Sequence, residues 1–301
     1  EQARKNLWQS ITRRLGPKDL KFFEGMIKRW VPDNLSSQTV REINEKNDIH
    51  SPAMGKARKA LAKDKVNGYR IMDIGTTLGP MAEAIAMFSM VFGSGSQSLA
   101  LTFDVDNLTA LILKMARIKK YFKKQMNGEI TISFAQTEEK EPGSDPFYNM
   151  TTSAQYKDGK FVLNGDKVFI TNDGKYLLVV AVVEPNHPQA KNVPIHKRIG
   201  IFMVSADAEG VTSEKLSMRG QHGTGTKLFR LKNVKVDTND IVGEIWLDKN
   251  HLDELKVRED LNDPNLKFGQ QLALAGLDVG RILIGAMALG AQASALQELI
   301  R

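Results

Sequence analysis

The residues best suited to chemistry lie in ISFAQTEEKEPGSD, Ile132 to Asp145. A run of strand composition stops at Ala135, and Gln136 and Thr137 follow with two backbone N–H groups and a hydroxyl. Pro142-Gly143-Ser144 adds a turn, a further exposed N–H and a second hydroxyl. Oriented backbone dipoles bind anions or the polar edge of a heterocycle without adding a mobile charge. The same residues also read as a capped polar turn between strands, and the local sequence leaves both readings open.

Other candidates carry less. GQHGTGTK, Gly220–Lys227, superficially resembles a phosphate loop, but its lysine does not follow the second glycine at the required spacing. It also falls between two strand-like runs, so a loop with positive-φ glycines is expected. GSGSQS, Gly93–Ser98, is weaker still. His50, His187, His196, His222 and His251 are scattered, with no i, i+4 pair, and predict no metal site. The chain has no cysteine, which excludes disulfides, thiolate nucleophiles and thiolate metal centres. No nucleophile elbow or kinase signature occurs.

Several elements must hold such a loop. From residue 1 to about 128 the texture is helical. Ser51-Pro52 marks a helix start with Pro at the first helical position. MAEAIAMFSMVFG is apolar nearly all round and predicts a buried helix. Leu108, Leu111, Ile112, Met115, Ile118 and Phe122 recur at helical spacing with lysines between them, which predicts one amphipathic helix with a basic, solvated face. That segment and the N-terminal helices carry most of the net charge of +7. Its aromatic residues are not interleaved in a nucleic-acid-binding pattern, so no nucleic-acid partner is expected.

From about 130 short runs of strand composition follow, punctuated by Asp158-Gly159 and Asn164-Gly165, both read as hairpin signals. YLLVVAVV is continuously apolar, as in a strand buried on both faces. The block reads as an antiparallel sheet or barrel. From about 266 a small-residue-rich helix runs to the end. Leu272–Leu296 has the length of a membrane span, but Asp278 and Arg281 would sit at costly depth, so a helix buried in a bundle is expected instead. A helix this apolar needs partners on most sides, and the chain is expected to find them on another chain or in sequence beyond Arg301. Nothing at the N-terminus resembles a signal peptide, and the chain does not begin with Met. The order of helices, sheet and helix differs from βαβ alternation.

The segments FAQTEEKEPGSD, TSAQYKDGKFVLNGDKVFITN, LVVAVV, IGIFMV, GVTSEKLSMRGQHGTGTKLFRLKNVKVDTNDIVGE and GLDVGRILIGAMALGAQASAL occur in this order. The series resembles the acyl-CoA dehydrogenase flavoprotein family over residues 130–244 and 269–296. The resemblance implies an α+β fold: an N-terminal α-helical domain (1–129), a middle antiparallel β-barrel-like domain (130–244), and a linker plus the first helix of a C-terminal α-helical bundle (245–301). It implies FAD between barrel and bundle. Phe134, Ala135, Gln136 and Thr137 would contact the flavin edge, and Ser144 the FAD pyrophosphate or the thioester substrate. Phe169, where the family commonly has Trp, would pack on the ring beside Ile170, and Thr171 would hydrogen-bond near the redox-active nitrogen. Asp278 and Arg281 match residues that meet the CoA pantetheine and phosphate; read alone, they are an i, i+3 ion pair.

The implied reaction is α,β-dehydrogenation of an acyl-CoA thioester, with hydride transfer to FAD and electrons passed to an electron-transfer flavoprotein. A homodimer or homotetramer in the mitochondrial matrix or bacterial cytoplasm, without a transmembrane segment, goes with it. The chain departs from the family pattern in places. Gly280 stands where one subgroup carries its glutamate base, and the majority's glutamate is expected beyond Arg301. TEEKEPGSD is one residue longer than usual, and MDIGTTLGPM replaces a proline-glutamate and glycine-pair loop. A non-catalytic structural or assembly subunit and an acyl-CoA oxidase on the same fold are the alternatives.

Overall fold

The computed structural model describes residues 2–13, 15–46, 49–66, 69–73, 79–139, 149–248 and 267–300. The chain starts with α1 (Gln2–Thr12) and α2 (Pro17–Gly25), which runs through a π-helical turn, Met26–Trp30, into α3 (Val31–Asn34). Next come α4 (Ser37–Lys46), α5 (Pro52–Lys63) and a small ribbon of β1 (Lys65–Val66) and β2 (Tyr69–Arg70). Ser51 caps α5 as expected, its Oγ accepting from the Met54 N–H at 3.2 Å. Then follow α6 (Pro80–Ser94), α7 (Gln97–Met115) and α8 (Lys119–Met126).

The single amphipathic helix expected across Leu108–Phe122 is therefore two. Arg117 adopts φ 59°, the Ile118 N–H bonds to the Leu113 carbonyl, and the Arg117 N–H to that of Lys114. This is a Schellman turn built without glycine. It folds α8 back so that Ile112, Leu113, Ile118 and Tyr121 all reach the same core.

The sheet comprises β3 (Ile132–Ala135), β4 (Ser153–Lys157), β5 (Lys160–Ile170) and β6 (Tyr176–Val183). After the short α9 (Ile195–Arg198) it continues with β7 (Ile199–Ser205), β8 (Val211–Lys215), β9 (Lys227–Asp237) and β10 (Ile241–Val242). Their order is β10-β7-β6-β4-β5-β9-β8, with β3 also on β6. Two pairings, β3 with β6 and β4 with β6, are parallel, so the sheet is mixed rather than antiparallel throughout. Asp158-Gly159 makes the expected tight hairpin, with φ of 52° and 76°. Asn164-Gly165 does not. β5 passes straight through it with a register shift between Leu163 and Gly165. Gly165 has φ 147°, and a Cβ there would lie 2.6 Å from Thr152 Oγ1, so the glycine permits close crossing rather than reversal.

β6 is buried on both faces, as its composition predicts. Leu177, Val179, Ala181 and Val183 enter one core with Phe161, Phe202 and Phe229. Leu178, Val180 and Val182 enter the other, against Ile112 and Leu113 of α7 and Leu272 of α10 (Gly269–Ile300). α10 crosses α6 and α7 closely at its glycines: a Cβ on Gly290 would meet the Phe88 carbonyl at 2.7 Å. Burial on most sides is not found. Ile282, Leu289 and Leu299 are 54%, 59% and 85% exposed, because only one face of α10 has neighbours among the described residues. By length and composition α10 could cross a membrane.

Candidate functional site

Where β3 ends, the chain does not wander off as a free turn. The Thr137 carbonyl accepts from the Val168 N–H of β5 at 2.9 Å. Lys167, wholly buried, donates from Nζ to the Gln136 carbonyl and to Glu138 Oε1, each at 2.9 Å. Glu138 also accepts from the Thr151 N–H and Oγ1 at 2.7 Å and from the Thr152 N–H at 2.9 Å. One carboxylate thus gathers both ends of the acidic loop onto β5. Burial alone would raise the Glu138 pKa. Lys167 and the threonine donors outweigh it and hold the carboxyl down at about 2. Burial draws the Lys167 ammonium down to about 8 against the pull of Glu138, so the pair is ionised at neutral pH.

Two residues beyond Lys167, β5 bulges. The β5–β9 register shifts between Lys167 and Ile170, and Phe169 has φ 56° and is 61% exposed. The bulge throws an aromatic ring out of the sheet, beside the strand position that meets Thr137. Phe134 packs against one core, and Ala135 and Ile170 are buried in the other, so Ala135 and Ile170 can offer a ligand only backbone. Gln136 is also buried, yet its Oε1 has no hydrogen-bond partner among the described residues. Thr171 is half-buried at the start of the turn that leaves β5. The folding of β3 and β5 therefore brings Gln136, Thr137, Phe169 and Thr171 to one rim.

Asn172 bolts this rim to the helices. Its Nδ2 donates to Asp106 Oδ1 at 2.8 Å, its Oδ1 accepts from Arg58 Nη2 at 2.5 Å, and its N–H bonds to the Thr224 carbonyl at 2.9 Å. Asp106 is buried, which raises its pKa, while Arg58, Asn172 and Gln125 counteract the rise. The Gly220–Lys227 segment thus serves as a strand connection buttressing Asn172, with Gly223 at φ 84° and Gly225 at φ 61°.

The remaining expected residues lie apart. Ser144 falls outside the described residues. Asp278 and Arg281 are on α10, ion-paired at 2.6 Å with side chains 70% and 68% exposed. Gly280 faces α7, where a Cβ would lie 4.0 Å from Asp104 Oδ2. Two histidines have carboxylate partners that their scatter did not suggest: His50 with Asp173 at 3.0 Å and His187 with Asp248 at 3.3 Å. Among the described residues no three His, Asp or Glu side chains form a metal-binding group.

Comparison with known proteins agrees with this architecture. Residues 133–234 match the family model of the acyl-CoA dehydrogenase middle domain. A 3-(aryl)acrylate reductase of Clostridium sporogenes is 33% identical over 184 residues, 61% of this chain and 41% of that protein. An acyl-CoA dehydrogenase of Bacillus subtilis is 30% identical over 184 residues, 60% of this chain and 41% of that protein. The structure of a glutaryl-CoA dehydrogenase from Mycobacterium smegmatis in complex with FADH2 superposes with TM-score 0.73 at 18% identity, covering 96% of this chain and 66% of that one. The matched stretch thus spans about two fifths of these curated relatives. Residues 133–234 thus match the acyl-CoA dehydrogenase middle domain, and over its described residues the chain shares the fold of a glutaryl-CoA dehydrogenase.

Proposed function

We propose that this chain holds FAD for the α,β-dehydrogenation of an acyl-CoA thioester. The observation that carries the reading is the clamping of Gln136–Glu138 onto Lys167–Val168, which sets two loop segments side by side as one rim. The residues present fit a flavin. Gln136 Oε1 is a buried acceptor lacking a partner among the described residues, and Phe169 offers an exposed aromatic face on a bulge. Phe134, Ala135 and Ile170 would contribute backbone, Gln136 and Thr137 the polar edge, Phe169 the ring contact and Thr171 a hydroxyl. Ser144 would meet the pyrophosphate or the thioester.

Bound there, FAD supplies the hydride acceptor. The chain's own part is to orient and to exclude water. Fixed donors on a stiff rim need no reorganisation as charge develops on a bound ring. Asp278 and Arg281 would recognise CoA, Arg281 through its planar donor fork once Asp278 releases it. An electron-transfer flavoprotein would take the electrons, and the chain would act as a homo-oligomer divided at residues 129 and 244. Purified full-length chain should bind FAD saturably, and replacement of Phe169 or Thr171 should weaken that binding. Failure to bind FAD sinks the reading.

Gly280 favours a second reading, in which the chain is a non-catalytic member of an assembly. Its mark would be bound FAD that an acyl-CoA does not bleach.

A further inference from the structure

α6, α7 and α10 enclose a cavity of about 130 Å³ away from the rim. Met72, Pro80, Leu111 and Val279 give it apolar walls, and Glu83 and Asn107 give it a polar end. Glu83 is 4% exposed and Asp104, on the same face of α7 as Asn107, is 4% exposed. Asn107 hydrogen-bonds the Glu83 side chain, yet Glu83 Oε1 and Asp104 Oδ1 have no hydrogen-bond partner among the described residues. An orphaned buried carboxylate oxygen costs its full desolvation, so each asks for a donor.

The electrostatics sharpen the request. Burial raises the Glu83 carboxyl to about 7 against the pull of Asn107. Burial and then the charge of Glu83 raise Asp104 to about 8. Two such neighbours cannot both ionise cheaply, so near neutrality they hold about one proton and one negative charge between them. That charge faces an apolar pocket with room for several heavy atoms. A water or a neutral alkyl group there would leave it uncompensated, whereas a cationic donor would cancel it.

We propose that this cavity binds a small alkylammonium group, seated with its nitrogen on the Glu83 carboxyl, whose charge Asp104 shares, and its carbons on Met72, Leu111 and Val279. The site stands on its own geometry and does not rest on the FAD reading. The test is calorimetric titration of the full-length chain with cyclopentylammonium chloride and, separately, with cyclopentanol, which has the same ring without the charge. The ammonium should bind saturably and at least about tenfold more tightly than the alcohol. Glu83→Gln and Asp104→Asn, which keep shape and relieve burial of charge, should each weaken the ammonium about tenfold and leave the alcohol unchanged. Equal affinity for the two probes in the unaltered chain, no binding of the ammonium, or undiminished ammonium binding in both variants would overturn the assignment. The first comparison needs no variant, so it decides the matter even if a substitution impairs folding.

Discussion

Replacing Lys167 by methionine keeps the stem volume and removes the ammonium that ties Gln136 and Glu138 to β5. Both partners are buried, with side chains 0% and 6% exposed, so solvent cannot take over. Removing one member of a buried pair costs about 3–5 kcal/mol. Glu138 would keep its donors from Thr151 and Thr152, which sets the expected cost at the low end, about 3 kcal/mol. The loss should appear as a lower urea midpoint with an unchanged slope. Acid unfolding gives the sign independently. The Glu138 carboxyl is depressed, so its contribution is fully present above 4.5 and lost as pH falls through about 2. Without Lys167 the loss should begin at higher pH. Adding Glu138→Gln should recover about 1–3 kcal/mol relative to the single variant, because the uncompensated charge is then gone. A cost for Lys167→Met below about 1 kcal/mol, the size of a surface pair, would refute this reasoning.

Other substitutions probe separate parts of the fold. Glu83→Gln should stabilise the chain in alkali: raising a carboxyl from 4.5 to about 7 costs up to roughly 3 kcal/mol once it ionises. The Glu83 contribution to wild-type stability should accordingly be fully present below 4.5 and fall away as pH rises through about 7, a fall that Glu83→Gln should flatten in pH-dependent urea melts. Gly290→Ala should cost about 1–3 kcal/mol by forcing α10 away from Phe88, whereas Gly285→Ala, with nothing within 4 Å, should gain about 0.5–1 kcal/mol of helix propensity. Thermal melts of the two variants make a matched test of the helix contact. Phe169→Ala should leave stability within about 0.5 kcal/mol, since the ring is mostly exposed, while weakening FAD.

The two-faced burial of β6 was legible in the sequence because composition there follows directly from environment. The Ser51-Pro52 start and the Asp158-Gly159 hairpin were legible because each is decided within four residues. Asn164-Gly165 misled for the same reason: the dipeptide permits a turn, but pairing of β5 with β9 on both sides of it holds the strand straight. Arg117 hid a helix end because nothing local demands φ 59° of an arginine. The parallel contact of β3 with β6 needs partners from distant positions, which periodicity does not report.

Composition marked the candidate loop as polar, but not what fastens its described ends to β5. Glu138 and Lys167 are 29 positions apart, Asp106 and Asn172 66, and Arg58 and Asn172 114. Lys167 directly before the apolar Val168-Phe169-Ile170, and two acids within LTFDVDNL, were the available signals. Charges in such surroundings ask for partners, and the fold supplies a partner to Lys167 and to Asp106 but leaves orphaned oxygens on Glu83 and Asp104.

The most direct measurement is a titration of FAD with the purified full-length chain, read by quenching of flavin fluorescence and repeated with Lys167→Met and Phe169→Ala. Saturable binding of one FAD per chain, weakened by both substitutions, is the expected result. No saturable binding, or binding that neither substitution disturbs, would contradict the placement of the flavin on the Gln136–Thr137 and Phe169–Thr171 rim.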